Sequence, residues 1–114
     1  MTLIVLSVLV AAAFLAAGAV KIRMIPIMFA TARRLGVPYR QMRLIGVLEV
    51  IFAVVTFLGI WVDWLGSIGT LVLTLIAAGA IIAHARVADA PKEVIAPVAL
   101  GTLAFIVFLM HLYQ

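Results

Sequence analysis

Three ionisable side chains stand where an apolar chain can least easily keep them: Lys21, Glu49 and His84. Each lies in or at the edge of a different hydrophobic run, and helical spacing puts all three on inward-facing positions at similar height. Glu49 comes six residues after Arg43, so it sits about 9 Å further along a helix and inside the apolar layer. A carboxylate at that depth is costly without a partner, and intramembrane acids commonly line cavities or pathways. Lys21 is the expected partner, because its long stem lets the ammonium travel along a helix surface. His84, Arg86 and Asp89 form an HxRxxD cluster at the exit of the third hydrophobic run and extend the rim of the same pocket. Together these residues offer a ligand-binding or proton-linked anchor. Plainer readings stand beside that one: Lys21 snorkels to the interface, His84 marks a helix end, Arg86 meets lipid phosphate and Asp89 caps the next helix. The sequence holds no metal-ligand spacing, phosphate loop or nucleophile-base pair, so no catalytic residue and no metal site is expected.

The elements that must position these groups follow from composition. The chain has 114 residues, 68% of them hydrophobic, with eight basic and four acidic residues. A soluble domain of that size cannot hide so much apolar surface. A bilayer core of about 30 Å takes about 20 helical residues, and four stretches qualify: 2–20, 44–60, 65–83 and 94–112. The expected fold is therefore all-α, an integral membrane four-helix bundle formed by residues 1–114 as one transmembrane domain.

Every lysine and arginine falls between residues 21 and 43 or at Arg86 and Lys92. With four spans in order, both groups lie on one side, which the positive-inside rule makes cytoplasmic. Both termini then face outward. Trp61, Trp64 and Tyr113 mark the outer boundary and Tyr39 the inner one. The first run lacks the positive n-region of an export signal, since its charges come after the apolar segment, so it reads as a retained helix. Basic residues that flank apolar spans point to anionic lipid and not to nucleic acid. With no cysteine there is no disulfide, thiolate metal site or CxxC relay, which excludes thiol chemistry by this chain.

Between the first two spans, Met28, Phe29, Ala32 and Leu35 recur at near-helical spacing among basic residues. Residues 27–35 are expected to form a short cytoplasmic interfacial helix, with Arg33, Arg34, Arg40 and Arg43 in contact with lipid phosphates; an irregular basic loop is the alternative. Gly36 suits a left-handed helix stop, and Val37-Pro38 an extended step into the next helix. Pro91 suits a first helical position, capped by Ala90 or Asp89, and Pro97 is expected to bend the last helix locally.

Small and polar residues recur at 3.5-residue spacing in every span, the pattern that turns one face of a helix toward its neighbours. The seams are Ser7, Ala11, Phe14, Gly18 and Lys21; Gly46, Glu49, Ala53 and Thr56; Thr70, Thr74, Ala77, Ile81 and His84; and Pro97, Gly101, Ala104, Phe108 and His111. His84 and His111 are separated by almost the whole bilayer, which rules out joint ligation of one haem within a chain.

These residues resemble the DoxX-like family of small four-span bacterial membrane proteins. The likeness runs through Gly18-Ala19-Val20-Lys21, Leu35-Gly36-Val37-Pro38, Gly46-Val47-Leu48-Glu49, and His84-Ala85-Arg86 leading to Asp89. The order and spacing of these motifs together carry the resemblance. The resemblance implies a four-helix bundle in a bacterial plasma membrane. Relatives include a subunit of a thiosulfate:quinone oxidoreductase and a membrane partner of thiol-stress and superoxide enzymes.

The expected function is an accessory membrane subunit, more a binding protein than an enzyme on its own. It would bind a small hydrophobic ligand such as a quinone or lipid near the cytoplasmic leaflet, or dock a redox protein there, without an intrinsic cofactor. Two alternatives stay open: a small proton-coupled transporter using Glu49, and a purely structural subunit of a membrane complex. Homo-oligomer and hetero-complex are equally compatible with the sequence.

Overall fold

The computed structural model describes residues 1–23, 26–87 and 91–113. Five helices follow in order: α1 (Thr2–Arg23), α2 (Pro26–Leu35), α3 (Tyr39–Leu58), α4 (Asp63–Arg86) and α5 (Pro91–Leu112). Four of them, all but α2, are long and apolar enough to cross a membrane. The molecule is a four-helix membrane bundle, and α2 is the short fifth helix expected between the first two spans. Asp89 and Ala90, the expected caps of α5, lie outside the described residues.

The long helices overrun their apolar stretches at the basic end. Helix α1 continues to Arg23, α3 begins at Tyr39, α4 reaches Arg86 and α5 begins at Pro91. Hydropathy marks where lipid contact stops, whereas a helix continues wherever its backbone bonds are satisfied internally; flexible basic side chains carry their charge to water meanwhile.

Within the bundle α1 packs most closely on α3, and α4 on α5; α3 joins α4, and the α1–α5 seam is the thinnest. The apolar core consists of Val10, Phe14, Ala53, Leu73, Ala77, Ala104 and Val107, drawn from all four long helices. Most of the remaining leucine, isoleucine and valine faces outward, as at Leu9, Ile51, Leu75, Ile82 and Ile95. Lipid is as good a solvent for these side chains as the core, so shape and not polarity decides which residues are inside.

Helix α2 stops where the sequence expects it to stop. Gly36 adopts φ 71°, a conformation that glycine enters without a Cβ penalty. The Val37 N–H bonds to the Ala32 carbonyl at 2.9 Å and the Gly36 N–H to the Arg33 carbonyl at 3.2 Å. That is a Schellman stop, and its apolar contact is present: Val37 packs with buried Ala32 and Met42 beside Met28 and Phe29. Pro38 follows in extended backbone, φ −59° and ψ 144°, and leads into α3. Phe29 and Tyr39 close the corner edge to face, their rings 4.8 Å apart. Arg34 also reaches Glu93 at the start of α5, at 3.5 Å.

Candidate functional site

At the basic end, the approach of α1 and α3 sets the site. Both Gly18 and Gly46 are buried at the crossing. A methyl group on Gly18 would come within 2.6 Å of the Gly46 carbonyl oxygen, and one on Gly46 within 2.7 Å of the Gly18 carbonyl oxygen. Only residues without a Cβ let the two backbones meet like this. The same crossing carries the chemistry: the hypothetical methyl on Gly46 would also touch the Lys21 Cβ, and that on Gly18 the Glu49 Cβ.

One turn beyond each glycine, the Lys21 ammonium donates a hydrogen bond to Glu49 Oε1 and forms an ion pair with it. The two partners differ in access. The Glu49 side chain is 3% exposed and that of Lys21 24%. An ammonium has three donors, and Glu49 Oε1 takes one of them. Lys21 is therefore the member of the pair that a ligand head group could meet first.

His84 is buried in the last turn of α4 at the same end, while Arg86, two residues on, is exposed. Asp89 lies outside the described residues, so the HxRxxD cluster is only partly described. Among the lipid-phosphate candidates, Arg33, Arg40 and Arg43 are exposed. Arg33 lines a shallow groove of about 390 Å³ together with Ala32, Gly36, Val37, Pro38 and Tyr39. Arg34 has Glu93 as a carboxylate partner, an ion pair that the sequence reading did not assign.

The opposite end holds a second polar group that sequence reasoning placed only in part. His111 Nδ1 lies 2.6 Å from Asp63 Oδ1, joining the last turn of α5 to the first turn of α4. His111 is on the expected seam, but nothing in the spacing of residues 63 and 111 reveals the contact. A usable signal did exist: they are the acidic and imidazole side chains of the end that carries no lysine or arginine. Ser7, Thr56 and Thr70 are also fully buried at this end of the bundle. Among the described residues no group of three or more His, Cys, Asp or Glu side chains could hold a metal ion.

The fold and these sites define a class: a small multi-span membrane protein, built as a four-helix bundle with a half-buried lysine–glutamate pair where α1 crosses α3. Residues 5–107 match the profile of the DoxX-like family, and the chain belongs to that family. No curated protein and no solved structure matches it.

Proposed function

We propose that this DoxX-like protein is a non-catalytic accessory subunit of the plasma membrane, with its basic end toward the cytoplasm. It holds the polar head of a small hydrophobic ligand, a quinone or a lipid, at the Lys21–Glu49 pair. The observation that carries this reading is the unequal burial of the pair. Glu49 holds Lys21 in place from the interior, and the partly exposed ammonium keeps donors for a carbonyl or phosphate oxygen. His84 supports the proposal as a further hydrogen-bonding group at that end, with Arg86 and Asp89 at the rim. The exposed Arg33, Arg40 and Arg43 suit the phosphates of the adjoining leaflet.

Purification from native membrane in mild detergent, followed by identification of what co-purifies, tests this. The expected result is a bound quinone or a defined lipid that is lost from folded Lys21→Met and Glu49→Gln variants. A stable protein partner with no small molecule would replace ligand binding with a docking or structural role. Proton-coupled uptake in liposomes that vanished in Glu49→Gln would replace it with transport.

A further inference from the structure

The Asp63–His111 pair lies at the end of the bundle away from Lys21 and Glu49, and its geometry is independent of the function proposed above. The His111 side chain is fully buried, whereas that of Asp63 is 55% exposed. The pair thus connects water on that side of the protein with the bundle interior. The carboxylate accepts the Nδ1 proton at 2.6 Å, which leaves Nε2 of a neutral ring as a bare lone pair. Nε2 is buried and has no hydrogen-bond partner. The ring instead fills a notch over Gly66: a methyl group there would overlap Nε2, Cε1 and Cδ2 of the imidazole.

A lone pair in that notch is tolerable, but an N–H is not. Adding a proton at Nε2 would create a buried donor with no acceptor in reach, the kind of group that native structures avoid. The Gly66 carbonyl already accepts from the Thr70 hydroxyl at 2.6 Å. Ser7 Oγ, one turn outward from core residue Val10, likewise has no partner where it stands. The exposed side of Asp63 offers what the notch lacks, a counter-charge and water. Among the described residues the other ionisable groups of this end are Tyr113 beyond α5 and the Met1 amino group ahead of α1; α3 adds none after Glu49.

We propose that His111 is a proton-binding site serving this end of the bundle, and that proton uptake swings the Nε2 edge of its ring out of the Gly66 notch to the water side while Nδ1 keeps its bond to Asp63. The step is a simple protonation. One proton from the aqueous phase goes onto Nε2, the imidazole becomes an imidazolium, and the net charge of the pair rises from −1 to zero. Its consequence is local: the Asp63–His111 contact becomes an ion pair between α4 and α5, while the ring gives up its packing over Gly66.

The chain supplies its own reporters. Its two tryptophans, Trp61 and Trp64, flank Asp63, and it has only two histidines. Tryptophan emission of the full-length protein in detergent micelles should change in a single sigmoidal step as the pH is lowered. The transition should vanish in His111→Phe. In Gly66→Ala, where the notch is filled, emission should hold the acid-side value throughout. If Gly66→Ala fails to fold, ¹⁵N-histidine NMR of the wild type decides: the signal missing from His111→Phe should show a neutral ring protonated at Nδ1, then a doubly protonated ring at acid pH. A flat wild-type profile, a transition that persists in His111→Phe, or a neutral ring protonated at Nε2 would each overturn the proposal.

Discussion

Gly18 and Gly46 face each other across the α1–α3 crossing so closely that each occupies the space a Cβ on the other would need. The added methyl groups would fall 2.6 and 2.7 Å from the opposing carbonyl oxygens. Backbone atoms cannot move aside as a flexible side chain can, so the helices themselves would have to part. The Lys21–Glu49 pair depends on that approach, since both residues stand one turn from the contact on the same faces.

Substituting alanine for either glycine should therefore destabilise the bundle by about 1–3 kcal/mol, the usual cost of overpacking a tight contact. The effect should reach the ion pair as well. Unfolding in mixed micelles would measure the first, and loss of coupling between Lys21 and Glu49 variants in a Gly46→Ala background the second. An alanine variant as stable as wild type would show that the crossing is looser than described.

Breaking the ion pair from one side should cost more than removing both charges. Lys21→Met leaves a buried carboxylate without its counter-charge, a change that typically costs about 3–5 kcal/mol, with the lower figure apt here because Lys21 is partly exposed. Adding Glu49→Gln to Lys21→Met should recover most of that loss. A double-mutant cycle with additive effects would mean that the two side chains do not stabilise one another.

Leu73 and Leu75 provide a paired test of which apolar residues form the core. Leu73 is 0% exposed and Leu75 62%. Truncating Leu73 to alanine removes packing that nothing replaces, and about 2–4 kcal/mol of destabilisation is expected. Leu75→Ala should change stability by less than about 1 kcal/mol, because lipid closes over the missing methyl groups. Equal losses at both sites, read from the same unfolding assay, would contradict the assigned helix rotation.

The exposed arginines should matter for lipid and little for folding. Neutralising Arg33, Arg40 and Arg43 together should weaken retention of anionic lipid by about 1 kcal/mol per residue, detectable by quantifying co-purified phospholipid. Arg34→Ala, which breaks a largely solvated pair with Glu93, should alter stability by less than about 1 kcal/mol.

The four spans, the short helix before the second of them and its stop at Gly36 were legible because each leaves a local mark: length of apolar run, helical spacing, or a glycine ahead of Val37-Pro38. Small-residue periodicity also found Gly18, Gly46, Glu49, Ala53 and Thr56 on the inner face. It overlooked Val10, Leu73 and Val107, all fully buried. In a protein solvated by lipid, a buried valine and a lipid-facing one look alike in sequence. Polarity separates inside from outside only where the side chain is polar, so the apolar centre of the bundle carried the weakest signal.

What the sequence determined by itself was the number of helices, the gathering of the basic residues at one end, and the candidate pairing of Lys21 with Glu49. Each follows from a solvation cost that a single residue or run incurs wherever the rest of the chain lies. Tertiary structure alone decided the contacts that depend on helix rotation and separation. It set Gly18 against Gly46, gave Arg34 the partner Glu93, and seated His111 over Gly66 within reach of Asp63. Those contacts join residues up to 59 positions apart in chain order, and no local preference encodes which faces will meet.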